Sequence, residues 1–359
     1  MRVFSLCCVW AATARALDTV SIEPWGDSAL RVRIAPDGRA IAGNLPGALA
    51  ATPDRAFAPS NATVTSGNLR GAVDPASGMV IISRVDDGAV LVRETARAWS
   101  GNTSVSVRGR RARSSGMKAE RPSLPQVSVA AMSDGERVFG FGEHQNGRLD
   151  SKGLRFDFEQ CIEYFPSKGG EVCLPWVLAA DAGAVQYGFL WNNPSYGAVD
   201  FGAEGTTWSA RGPARQIDFL VVTAPAAGAA RAGAEIMRRY ADAVGHAPNF
   251  PEWAAGYWHS KNRYATQDAL LAAAEGFANR SVPVDIIVVD YHHWKRMGDW
   301  SFDNASWPDV PSMVGALRAM GTRVMVSVWP FSATGSASIG AIEAGGLAVR
   351  AADNASLAW

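Results

Sequence analysis

Residues 282–300 read VPVDIIVVDYHHWKRMGDW. Six of the eight residues before Asp290 are apolar, the composition of a strand buried on both faces, as in a parallel sheet. The run ends in a carboxylate and passes at once into Tyr291, His292, His293 and Trp294. Why a buried strand should end this way decides both the fold and the function.

Moving outward, the same grammar repeats. WAAGYWHS (253–260) is a candidate strand, and TQDALLAAAEGFANR (266–280) is a helix with Thr266 at its N-cap and Leu270, Ala274 and Phe277 down one side. PVDIIVVD follows as the second strand. DVPSMVGALRAMG (309–321) is a second helix, with Asp309 as N-cap, Pro311 in its first turn and Gly321 as terminator. TRVMVSVWPF (322–331) is the third strand. This β-α-β-α-β order is the pattern of a parallel sheet with crossover helices.

The first two thirds of the chain read differently. ALRVRIAPDG (29–38) alternates Leu30, Val32 and Ile34 against Arg31 and Arg33, the period of a half-buried strand. GMVIISRVDDGAVLVRE (78–94) predicts a hairpin turning at Asp87-Gly88. RVFGFG, YGFLWN and IDFLVV add strand signals, and many short strands between Gly and Pro predict an antiparallel sandwich. AEIMRRYADAVG (234–245) is a helix, with Ile236, Tyr240 and Val244 at helical spacing and Gly245 as its cap. HAPNFPEW, with two prolines, marks the boundary.

Composition excludes some functions. The 34 basic and 34 acidic residues cancel, so net charge offers nothing to nucleic acid or anionic membranes. The start, MRVFSLCCVWAATARALD, has the outline of a secretory signal peptide over 1–16. No other run approaches the roughly eighteen apolar residues that span a bilayer. Sequons begin at Asn61, Asn102, Asn279, Asn304 and Asn354, which fits the secretory pathway, whether extracellular, lysosomal or vacuolar, or endoplasmic reticulum. Cys161 and Cys173 flank FPSKGG; they form either a disulfide or two buried thiols. The 13 Trp suit stacking on sugars as well as core filling.

Ligands of parallel α/β architectures bind at the carboxyl ends of the strands. Asp290 is expected there as the last residue of its strand, with Ser327 and Trp329 sharing a face at the end of the next. A carboxylate accepts hydrogen bonds from sugar hydroxyls, and aromatic rings cover C–H faces. The alternatives are that Asp290 is a structural acceptor and that Trp329 belongs to the core. His292 and His293 are adjacent and point opposite ways if extended, and HExxH and paired CxxC motifs are absent, so no metal site is expected. GFG at 140–142 is too short for a phosphate loop and reads as a turn or a close backbone contact. No GxSxG or Ser/His/Asp set is found.

With these residues in place, the chain resembles glycoside hydrolase family 31, the α-glucosidases and α-xylosidases. VFGFGEHQNGRLD (138–150), YGFLWNNPSYG (187–197), PEWAAGYWHSKNRY (251–264), VDIIVVDYHHW followed by GDWSFDNASWPD (284–309), and RVMVSVWP (323–330) carry the resemblance, in the family's order. It implies an α+β multidomain chain: an N-terminal β-sandwich of the galactose-mutarotase type over 17–245, then the first three β/α units of a (β/α)8 TIM barrel over 246–359. It implies retaining hydrolysis of α-linked oligosaccharides by two aspartates and no cofactor. By resemblance Asp290 binds hydroxyls of the sugar in the −1 subsite, Tyr291 walls the pocket, and Ser327 and Trp329 lie at the same pocket. Residues 143–150 would shape its rim from the sandwich side.

The family's nucleophile sits on the fourth barrel strand, in a motif resembling W-x-D, and its acid on a later strand. The resemblance therefore makes this chain the front part of a glycosidase, without either catalytic group; Asp299 and Asp303 have no such role in the family. The alternatives are a protein that only binds carbohydrate and a product that does not fold. Glucose and xylose both remain open as the recognised sugar, with the loop ending in GDW closer to the α-xylosidase type.

Overall fold

In a computed structural model the described residues are 18–41, 43, 47–50, 63–101, 123–130, 133–144, 146–158, 172–181, 184–195, 197–203, 205–210, 214–226 and 231–349. The expected signal peptide, Cys161 and the sequons at Asn61, Asn102 and Asn354 lie outside them. The chain divides into two compact units, Met1–Ala247 and Pro248–Trp359. No described helix is long and apolar enough to cross a membrane.

Strands β1 (Thr19–Pro24), β2 (Ala29–Ala35), β3 (Val64–Ser66), β4 (Leu69–Val73), β5 (Val80–Arg84), β6 (Val90–Gly101) and β7 (Ser123–Ala130) open the first unit. They are followed by β8 (Arg137–Glu143), β9 (Arg155–Asp157), β10 (Val172–Asp181), β11 (Ala184–Trp191), β12 (Gly197–Gly202), β13 (Gly205–Ala210) and β14 (Ile217–Thr223). Helix α1 (Ala232–Val244) completes the unit. One antiparallel sheet has the order β1-β2-β14-β11-β10-β8, the other β3-β4-β5-β6-β7-β13-β12-β9. Leu30, Val32, Phe189 and Phe219 from the first sheet share one buried core with Leu69, Ile82, Val127 and Trp208 from the second. The expected hairpin joins β5 to β6, with Gly88 at φ 72°.

The expectation of a half-buried β2 is corrected. Strand β14 is buried at all seven residues, because its sheet is covered twice. Ile217, Phe219 and Val221 face the core between the sheets. Leu220 and Val222 instead pack with Ile236 and Ala243 of α1 and with Trp176, whose ring stacks on Tyr240 at 3.8 Å. Under that cover Arg31 is only 2% exposed. Its guanidinium donates to both carboxylate oxygens of Asp218, at 2.9 and 2.5 Å, and sits 4.7 Å from the Trp25 ring. Period-two alternation reports which residues oppose each other, not whether a helix later covers the polar face.

The GFG stretch lies inside β8 and is a close backbone contact. Opposite it, β10 shifts register between Cys173 and Val177. A Cβ on Gly142 would come within 2.1 Å of the Val172 carbonyl, so the two strands approach this closely only at a glycine. Cys173, on β10, is disulfide-bonded.

The second unit contains β15 (Trp258–His259), α2 (Gln267–Ala278), β16 (Ile286–Val289), α3 (Val310–Ala319), β17 (Arg323–Val326) and α4 (Ile339–Ala344). The three strands pair in parallel with β16 in the middle. Both expected caps form: Thr266 accepts from the Ala269 amide and Asp309 from the Ser312 amide. Gly321 follows α3 at φ 81°. Ile287 and Val289 pack against Leu270 and Ala274 of α2 and Met313 and Leu317 of α3. The first expected strand is shorter than its sequence pattern, because Glu252–Ala255 forms a 3-10 turn.

Truncating one partner of the Arg31–Asp218 pair strands a buried charge. Asp218→Ala is expected to lower unfolding stability by about 3–5 kcal/mol, whereas the double change Arg31→Met with Asp218→Leu recovers most of it. Urea denaturation of the three proteins checks this.

Candidate functional site

The site is built where β16 runs out. Its ladder with β17 closes with the Ser327 amide, one residue past β17, donating to the carbonyl of Val289, the last residue of β16, at 2.9 Å. Asp290 is therefore the first residue beyond the strand rather than its last. It is half-buried, and its Oδ1 accepts from the Tyr291 amide at 2.7 Å. That bond fixes the carboxylate close to its own backbone, and no other described group bonds the second oxygen.

Two rings meet in the loops that follow β16 and β17. Tyr291 and Trp329 stack at 5.7 Å between centroids, with 16° between their planes. Trp329 is 37% exposed and also meets Phe331 at 5.7 Å. The structure thus brings together residues separated by 38 positions on two successive loops. Ser327 is half-buried, and among the described residues its hydroxyl bonds to none of Asp290, Tyr291 or Trp329.

The two histidines diverge. His292 is exposed at φ 61°, in the left-handed region. His293 is 2% exposed, its ring packed on Trp294 and Phe302. Its Nδ1–H donates to the Asp290 carbonyl at 3.2 Å, which defines the tautomer. Burial lowers the His293 pKa below the ordinary imidazole value, against the opposing pull of that hydrogen bond. Among the described residues no group of three His, Cys, Asp or Glu is placed to hold a metal ion.

The loop carboxylates Asp299 and Asp303 are committed to backbone. Asp299 accepts from the amides of Arg296 and Ala337, each at 2.8 Å. Asp303 accepts from the Ala305 amide, and its backbone organises the turn leading to Trp307. Asp299 is thus held on both oxygens, whereas Asp303 is held on one. Trp300 is a contributor that motif reading left without a role. It is 45% exposed, and its indole N–H donates to the Trp329 carbonyl at 3.0 Å. A cavity of about 900 Å³ lies along β17 and α3, but Asp290, Tyr291, Ser327 and Trp329 do not line it. Its apolar walls, Trp258, Ile286 and Met325 among them, belong to the sheet and its open side, not to the strand ends.

Comparison with known proteins finds relatives for this chain. Residues 247–357 match the family described as Glycosyl hydrolases family 31 TIM-barrel domain. The family 31 glucosidase ORF2 of Pseudescherichia vulneris is 35% identical over 196 residues, which are 55% of this chain and 34% of that protein. The α-xylosidase of Saccharolobus solfataricus is 30% identical over 205 residues, 55% of this chain and 26% of its own length. Among solved structures, a family 31 α-xylosidase from a soil metagenome, complexed with xylose, superposes with TM-score 0.72 at 30% identity, covering 93% of this chain and 48% of that one. A xylosidase from Aspergillus niger gives 0.74 at 26% identity, covering 96% and 48%. The chain thus spans about a third or less of these curated relatives and about half of these solved chains. Over residues 247–357 the chain is thus similar to the glycosyl hydrolase family 31 TIM-barrel domain, and over most of its length its fold is similar to that of family 31 α-xylosidases.

Proposed function

We propose that this chain carries the sugar-binding half of a retaining α-glycosidase acting on α-linked glucose or xylose. The observation that carries the reading is Asp290 at the carboxyl end of a parallel strand, followed directly by Tyr291, whose ring stacks on Trp329 from the next strand end. A carboxylate bound on one oxygen by its own backbone keeps the other to accept sugar hydroxyls, and the rings offer an apolar face to the pyranose. In this reading the first unit is a sandwich of the galactose-mutarotase type, and β15 to β17 are the first three strands of a (β/α)8 barrel. The similarity to α-xylosidases and to a family 31 glucosidase supports it.

Retaining hydrolysis needs two carboxyl groups about 5–5.5 Å apart. Asp299 has both oxygens on loop amides, and the family resemblance gives neither Asp299 nor Asp303 that role. The nucleophile and acid are assigned to strands following β17 in a longer product. The commitment of both Asp299 oxygens favours a second reading, in which this chain binds carbohydrate without cleaving it. The secretory pathway is the proposed route. It is supported by the disulfide at Cys173 and by the exposed sequon residues Asn279 and Asn304.

The chain is expected to bind maltose or a xyloglucan heptasaccharide saturably in calorimetry. Asp290→Ala should weaken binding at least roughly tenfold, since hydrogen bonds to a charged group are the strong ones. No heat at millimolar sugar would exclude both readings. A product extending through the later strands should release aryl groups from α-glucosides or α-xylosides somewhere between about pH 4 and 8; binding without release selects the second reading.

His293 sets a pH limit on this arrangement. Its folded pKa is depressed, so the unfolded chain binds a proton more readily and stability is lost as pH falls below the unfolded value of about 6.5. The melting temperature of the wild type should therefore drop more steeply from about pH 7.5 to 5.5 than that of His293→Gln. Parallel slopes would show that His293 does not carry the dependence.

A further inference from the structure

We propose that Gly298–Trp300 is a clasp that fixes the Trp329 ring against Tyr291, making Asp299 and Trp300 positioning residues of the sugar platform. This rests on the reading of Asp290, Tyr291 and Trp329 as a sugar site. The need for a clasp follows from where Trp329 stands. Strand β17 ends at Val326, and the last ladder bond is made by the Ser327 amide. Two residues later the ladder no longer constrains the backbone, and Pro330 has no N–H with which to continue it. A half-exposed indole in such a position needs another restraint to remain parallel to a ring on a different loop.

The restraint comes from the loop after β16. The Trp300 indole N–H donates to the Trp329 carbonyl, tying the backbone of the platform residue directly. Trp300 holds φ at 49°, a left-handed conformation that costs a bulky residue of order 1–3 kcal/mol and persists only where neighbours impose it. Those neighbours are identifiable. Asp299 is gripped on both oxygens, by its own loop through the Arg296 amide and by the next loop through the Ala337 amide. The Gly298 carbonyl accepts from the Ser338 hydroxyl. Gly298 itself sits at φ 88° so close to Ser332 that a Cβ would come within 2.4 Å of its Cα. A side chain there forces the loops apart and draws Trp300 away from Trp329.

The clasp therefore acts on sugar binding through ring geometry and not through sugar contact. Its removal should change the Tyr291–Trp329 pair before it changes the fold. Trp300→Phe keeps an aromatic side chain, smaller than the indole, and removes the donor; Asp299→Asn keeps the size and loses one acceptor. Three readouts on the full chain separate the possibilities: melting temperature, affinity for maltose and xyloglucan heptasaccharide, and the near-ultraviolet circular dichroism band that Trp329→Leu abolishes. With the clasp, Trp300→Phe and Asp299→Asn stay within about 5 °C of the wild-type melting temperature. Both lose most of that band and bind sugar roughly three- to tenfold more weakly. Retention of the band and of wild-type affinity in both variants overturns the proposal, as does loss of the band only together with the fold. If the wild type binds no sugar, the reading of the site fails, while the band still decides whether the clasp holds the rings.

Discussion

Burial of the Ile287–Val289 face of β16 under α2 and α3 is the constraint on which the second unit depends. Ile287 and Val289 are covered by α2 and α3, whereas Ile286 on the other face lines the cavity along β17. A charged side chain at Ile287 or Val289 would lose its hydration with no partner in reach. The strand can present a carboxylate only where its pairing ends, and Asp290 occupies that position. The parallel arrangement brings the end of β17 to the same level, so residues far apart in the chain meet without any helix moving. The site is thus a product of strand ends and the loops that leave them.

Those loops need their own order, because no ladder reaches them. The segment after β16 is tied to the segment after β17 through bonds to main-chain carbonyls and amides, with glycine at the closest approach. Main-chain partners make this order tolerant of many side-chain changes on the second loop. They also concentrate sensitivity at Gly298, Asp299 and Trp300. The aromatic pair inherits its geometry from this arrangement.

Much of this was legible in sequence, and the failures have physical causes. Thr266, Asp309 and Gly321 announced helix ends because capping is a local interaction read within four residues. Asp290 was legible because a buried strand is a strong compositional signal. The placement of Tyr291 beside Trp329 came only through resemblance, since it depends on parallel register between strands separated by a helix. The roles of Asp299 and Trp300 were illegible for the same reason: their partners lie 38 and 29 positions away. In the first unit, alternation found β2 but could not reveal that Arg31 would be buried against Asp218 and Trp25, because that is decided by packing between distant segments. Sheet pairing order was likewise beyond reach of any local pattern.

The pairing of Arg31 with Asp218 also has a temporal side. The two residues stand 187 positions apart, and β14 is the neighbour that completes β2 in its sheet. On a ribosome adding about 5–20 residues each second, roughly ten to forty seconds pass between synthesis of the arginine and arrival of its carboxylate. During that interval the β1–β2 ribbon has one long edge without its partner and a guanidinium awaiting its counter-charge. The first strands made are among the last to be enclosed, and a nascent chain of this design needs its early hairpin kept apart from other chains until translation has passed the sheet's central strand.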